Sequence, residues 1–92
     1  MAKYEFSKKY TFEDKEYESI EFDLEELKGS DIEEIQKTFT ATGTIVPVPA
    51  LDYKFCASVL ARAAKQPVEF FTQLPVKDYM KLVQQVSNFL LT

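Results

Sequence analysis

LPVKDYMKLVQQVSNFL, residues 74–90, is the stretch on which the fold turns. Its apolar side chains Tyr79, Leu82, Val83, Val86, Phe89 and Leu90 recur at i, i+3, i+4, i+7, i+10 and i+11. That spacing is one continuous face of a 3.6-residue helix. Pro75 suits the first turn, where its missing amide costs nothing. The pattern predicts a helix over residues 76–91 with a buried stripe and Phe89 near the stripe's centre. The segment contains neither histidine nor cysteine, so it packs or binds rather than reacts.

Working back from this helix, Pro67 breaks an earlier one, and residues 68–73 are expected to form a short turn burying Phe70 or Phe71. The earlier helix is expected over 51–65, with Phe55, Cys56, Val59, Leu60 and Ala63 as its buried face. A further helix is expected over 31–42. Ser30-Asp31-Ile32-Glu33 matches a capping box there, Ile32, Ile35 and Phe39 form the stripe, and Gly43 is the stop. Asp31, Glu33 and Glu34 fall in the first turn, where the helix dipole favours anions.

Residues 44–50, TIVPVPA, are too rich in proline for a central strand or a helix. Two readings stand side by side. The segment is an extended tether laid across the core, or it is a stiff, exposed apolar stretch that waits for a partner. Nearer the N-terminus, Tyr4, Phe6, Tyr10 and Phe12 alternate with polar residues, as do Ile20, Phe22 and Leu24. These runs predict a β-hairpin over about 5–23. A loop at Asp14-Lys15-Glu16 pairs Tyr10 with Ile20 and Phe12 with Glu18 and keeps the apolar set on one face. The expected fold class is therefore α+β and mainly α: a hairpin followed by three to four helices (about 30–92), in one domain spanning 1–92.

Composition narrows the function. The chain has no histidine, one cysteine and two glycines. It therefore lacks the commonest general base and metal ligand, any intrachain disulfide, and a phosphate-cradling loop. No enzymatic activity, no cofactor and no metal are expected. No apolar run approaches the ~20 residues that span a bilayer, and no apolar segment follows the first residues, so a cytoplasmic protein without membrane contact is expected. Residues 1–37 carry twelve acidic and six basic side chains, net −6, while residues 38–92 carry three and five, net +2. The acidic half disfavours nucleic acid as a partner. It serves either as a solvated surface or as a patch that docks a basic partner, as a small acidic inhibitor or DNA mimic does.

Three regions together resemble a known family, the small tail assembly chaperones of long-tailed bacteriophages. The first runs from Tyr10-Thr11-Phe12 through Tyr17 and Ile20 to Leu24 and Leu27. The second is Gly29-Ser30-Asp31-Ile32. The third comprises Leu60-Ala61-Arg62-Ala63-Ala64, Pro67, Leu74-Pro75, Asp78-Tyr79, and Val86 with Asn88-Phe89-Leu90. The chain departs from the pattern at Asp14-Lys15, where Asp-Gly is usual, and at Gln66, where glycine is common. The resemblance implies a non-enzymatic factor of the host cytoplasm, absent from the mature virion. It would bind the tape measure protein and keep it soluble until the tail tube assembles around it. The tail tube protein is implied as a further partner, and self-association and a longer frameshifted product are compatible with it. On such a reading the contact residues are Ile45, Val46 and Val48 of the proline segment, with Met80 of the last helix.

Overall fold

In the computed structural model, which describes residues 2–91, the chain opens with two antiparallel strands, β1 (Ala2–Phe12) and β2 (Lys15–Phe22). Four helices follow: α1 (Gly29–Ala41), α2 (Tyr53–Ala64), α3 (Val68–Thr72) and α4 (Val76–Leu91). Short 3₁₀ turns at Leu24–Glu26 and Pro49–Leu51 lead into α1 and α2. The expected fold class stands, with the short turn at 68–73 realised as the helix α3.

The hairpin's register differs from the expected one. Phe12 pairs with Lys15 and Tyr10 with Tyr17, so the loop is the two residues Glu13 and Asp14. Both take positive φ, 50° and 64°, the geometry of a two-residue turn that matches strand twist. Farther out, Tyr4 pairs with Ile20 and Ala2 with Phe22, and the register shifts between Glu5 and Tyr10. The expected pairing assumed one unbroken ladder. The bulge removes that constraint, since a local insertion lets Tyr10 and Phe12 pack inward on one side of it and Phe6, Ile20 and Phe22 on the other.

An acid from α4 sits at this bulge. Asp78, on the first turn of α4, is fully buried. Its Oδ1 accepts from the Tyr4 hydroxyl (2.7 Å) and the Ser7 N–H (3.1 Å), and its Oδ2 accepts from the Ser7 hydroxyl (2.9 Å). Burial pushes the carboxyl's pKa up, but these three hydrogen bonds outweigh it and hold it below the usual carboxylate value. The last helix is thereby bolted to the first strand across nearly the whole chain.

The core has two centres. Phe70 of α3 is fully buried, and its ring meets those of Phe6, Tyr10, Phe12, Tyr17 and Phe71 at centroid distances from 4.9 to 6.3 Å. The Tyr10 hydroxyl donates to the Phe70 carbonyl (2.7 Å), so the hairpin closes on α3 by rings and by one buried hydrogen bond. The second centre is α2. Phe55, Cys56, Ala57, Val59, Leu60 and Ala61 are all buried, which is wider than the single stripe expected, because α1, α3, α4 and β2 all pack around this helix.

α1 is the least embedded helix. Ile35 alone is buried, while Ile32 and Phe39 are half-buried. Arg62 of α2 holds it with ion pairs to Asp31 (3.0 Å) and Glu34 (3.3 Å). The expected Ser30 cap is not used. The helix starts earlier, at Gly29, and Asp31 reaches back to accept from the Lys28 N–H (2.8 Å). Arg62 pins the Asp31 carboxylate in place, and that fixes the start.

Phe89 is also placed differently from the expectation. The buried stripe of α4 is Asp78, Leu82, Val83 and Val86, with Tyr79 and Leu90 half-buried, and Phe89 lies at the margin, 38% exposed. In the last turn Leu90, not Phe89, packs against the core, so Phe89 lies to one side of the face that meets the body.

Candidate functional site

The proline segment and α4 build one surface. α1 ends with the Thr42 N–H bonded to the Thr38 and Phe39 carbonyls, and Gly43 turns the chain at φ 77°, in the left-handed region that favours glycine. The chain then runs extended, and its side chains divide. Val46 turns inward and joins the core at 9% exposure, while Ile45 and Val48 face outward at 84% and 50%. Of the two readings of residues 44–50, each therefore describes part of the segment. Val46 is a tether residue, not a surface residue.

Pro49 opens the 3₁₀ turn Pro49–Leu51, where the Leu51 N–H bonds to the Val48 carbonyl (2.9 Å). Asp52 then caps α2, its Oδ1 accepting from the Phe55 N–H (2.8 Å). The turn is fastened to α4 by the Ser87 hydroxyl, which donates to the Ala50 carbonyl (2.6 Å). The Cys56 thiol lies 3.6 Å from the same carbonyl. Burial, with the Asp52 charge nearby, pushes that thiol up to about 11, so it is a packing group and not a nucleophile.

Between this turn and α4 lies a cleft of about 250 Å³. Leu51 and Tyr53 form one wall, and Met80, Val83, Gln84 and Leu91 form the other. Ala50, Cys56 and Ser87 close the floor, and no charged residue lines it. Leu51, Tyr53 and Leu91 are large and exposed, as is Met80, so the cleft has apolar rims. Of the four contact residues named from the sequence, Met80 lines the cleft. Ile45 and Val48 sit on the loop that leads to it, outside the lining, and Val46 is in the core.

Leu51, Tyr53 and Leu91 were not among the expected contacts. A signal for Leu91 exists: Met80, Gln84, Ser87 and Leu91 recur at i, i+4, i+7 and i+11, a second stripe beside the core-facing one on α4, whereas Leu51 and Tyr53 belong to no such periodic pattern. A second groove, of about 460 Å³, runs between α1 and α2 past Ile35, Phe39, Ala61 and Val68. Arg62 and Lys65 line it, so it carries charge where the cleft carries none.

Among the described residues no group of three or more carboxylate, thiol or imidazole side chains is placed to hold a metal ion. No helix among them is long and apolar enough to cross a membrane. The surface that stands out offers hydrophobic contact and hydrogen bonding.

No curated protein and no solved structure matches the chain. One family model does, over residues 3–91, and it describes phage tail assembly chaperone proteins, E, or 41 or 14. The match takes in the hairpin with its bulge, the Asp78 bolt, the Phe70 cluster and both walls of the cleft, and the chain belongs to the phage tail assembly chaperone family.

Proposed function

We propose that this chaperone binds amphipathic helical segments of a phage tape measure protein in the cleft between the Pro49–Leu51 turn and α4, and so keeps that protein soluble in the host cytoplasm until the tail tube assembles around it. The observation that carries this reading is the cleft's lining, apolar at both rims and free of charge. An amphipathic helix recognises such a groove by inserting side chains from one face at i, i+3 or i+4. The prolines at 47 and 49 stiffen the segment that leads into one wall, which lowers the ordering cost of binding.

Magnitudes suit a cover that must come off again. Completing the burial of Leu51, Tyr53, Met80 and Leu91, which are 64%, 57%, 38% and 61% exposed, returns about 3–7 kcal/mol in all, at roughly 1.5–3 kcal/mol per fully buried side chain. Association itself costs about 4–15 kcal/mol. One such contact is therefore weak, and a long partner is held by many copies.

The test is co-expression with tape measure fragments. The wild-type chain keeps a fragment soluble, and Met80→Asp or Leu51→Asp abolishes this while the chaperone keeps its circular dichroism and melting temperature. Retained solubilisation by both folded variants would place the contact elsewhere. Val46→Asp does not test the contact, because a carboxylate at that buried position is expected to unfold the domain. If the wild type solubilises no fragment but inhibits a DNA-binding host protein, the acidic-mimic reading replaces this one.

A further inference from the structure

The cleft lining carries no charge, but the margin of its α4 wall does. α4 has three charged residues, Lys77, Asp78 and Lys81. Asp78 is fully buried, with both oxygens taken by Tyr4 and Ser7. Lys77 and Lys81 are exposed, and among the described residues neither is in an ion pair. Residues three and four apart on a helix are neighbours. Lys77 therefore stands beside Met80 and Lys81, and Lys81 stands beside Gln84. Met80 and Gln84 line the cleft, so the two lysines form a row just outside it. Gln84 continues that margin without charge, its amide donating to the Asn88 side-chain carbonyl (3.0 Å).

The other wall is balanced. Asp52 and Lys54 flank Tyr53 in the sequence, one of each sign, and Asp52 is half-buried with its Oδ1 engaged by the Phe55 N–H (2.8 Å). The cleft is thus an apolar slot with two uncompensated positive charges along one margin, on a chain whose net charge is −4.

A helix seated in such a slot sets the residues beside its own apolar stripe against the slot's margins. Lysine or arginine there meets Lys77 and Lys81 at like charge, whereas aspartate or glutamate meets them at opposite charge. We propose that the cleft selects amphipathic helices whose apolar stripe is flanked by acidic residues, and that Lys77 and Lys81 make the selection. This selection presupposes the cleft as the binding site and adds the chemistry of the helix it takes. Net charge alone would favour the opposite choice, because an acidic chain attracts a basic partner. Contact decides instead, since exposed charges farther away than a Debye length, about 8 Å at physiological salt, are largely screened.

The experiment is an NMR titration of the isotope-labelled chain with two synthetic helical peptides. Both carry the same leucine stripe; one has glutamate along the flanks of the stripe and the other has lysine. At 0.1 M salt the glutamate peptide is expected to bind roughly five- to tenfold more tightly, since opposite charges replace like charges at two exposed positions. The shifts should centre on Leu51, Met80 and Leu91, which line the cleft. Lys77→Glu/Lys81→Gln should erase the preference or reverse it. Lys15→Glu/Lys37→Gln makes the same change in net charge at residues outside the cleft and should leave the preference intact. Equal binding of the two peptides in the cleft, or tighter binding of the lysine peptide, overturns the proposal and leaves the cleft standing as the binding site. A glutamate preference that survives Lys77→Glu/Lys81→Gln, or that Lys15→Glu/Lys37→Gln removes equally, does the same. Binding of neither peptide, or shifts confined to residues outside the cleft, overturns both the proposal and the cleft as the binding site. If the double variant at the margin does not fold, Lys77→Glu alone gives the comparison, and the preference should fall at least about twofold.

Discussion

Replacing Phe70 by alanine is the sharpest test of the packing described here. The ring is fully buried and stands T-shaped to those of Tyr10, Phe12, Tyr17 and Phe71, at 5.2, 5.2, 4.9 and 5.0 Å. Truncating a buried phenylalanine costs about 3–5 kcal/mol in lost transfer energy and residual cavity. Edge-on aromatic pairs contribute about 0.5–1.5 kcal/mol beyond buried area. With four such neighbours lost, Phe70→Ala belongs at the upper end, about 4–5 kcal/mol. At roughly 0.05–0.15 kcal/mol per residue, a chain of 92 residues has about 5–14 kcal/mol in total, so the variant is expected to be marginal or unfolded at 37 °C. The substitution leaves the Phe70 carbonyl in place to accept from the Tyr10 hydroxyl, so the loss reports the ring and not the hydrogen bond. Urea unfolding followed by far-ultraviolet circular dichroism measures it, with tyrosine fluorescence as a second probe, since the chain has no tryptophan. Phe89→Ala, at a 38% exposed position, is the comparison and should cost about 1–2 kcal/mol. A loss below about 2 kcal/mol at Phe70, or equal losses at the two positions, would refute the reasoning.

Other outcomes are expected from single groups. The Asp78 carboxyl is held below its ordinary value, so its stabilising contribution is complete above the unfolded pKa of about 3.8 and disappears as pH falls through the folded one. Melting temperature should therefore drop below about pH 4, and the drop should be shallower in Asp78→Asn; equal slopes would mean the bolt to β1 contributes nothing. Tyr4 shows the opposite sign: burial, and then Asp78, push its hydroxyl up to about 12, so its contribution is lost as pH rises from about 10 through 12, a limb that Tyr4→Phe should flatten. Lys65 ends α2 at φ 58°, in the left-handed region, so Lys65→Gly should raise stability by about 0.5–1 kcal/mol in urea unfolding. Cys56 should resist alkylation at neutral pH in the folded protein and react promptly in urea.

Much of the helical part was legible in the sequence because its signals are local. The periodicity of residues 79–90 and Pro75 placed α4 at 76–91, where it is found, and Pro67 set the end of α2 within a residue. Gly43 was readable as the stop of α1 for the same reason, since a left-handed residue is demanded there whatever else surrounds it. Met80 could be assigned to the surface because it lies off the core-facing stripe. What failed depended on partners distant in the chain. The hairpin register hinges on the shift between Glu5 and Tyr10, where the Ser7 amide and hydroxyl bond to Asp78 71 residues away, and no rule of strand alternation contains that contact. The start of α1 follows Asp31, pinned by Arg62 at a separation of 31 residues. Ile45 and Val46 are chemically alike, and only the path of the tether over α2 turns one outward and the other into the core. The cleft itself exists because Ser87 draws the Ala50 carbonyl onto α4 across 37 residues. Local sequence sets which residues form helices and which face of each is apolar, because backbone propensity and periodicity act over a few residues. Which faces meet, and what remains open between them, is decided only when the whole chain has packed, because those contacts are made between residues that no short stretch holds together.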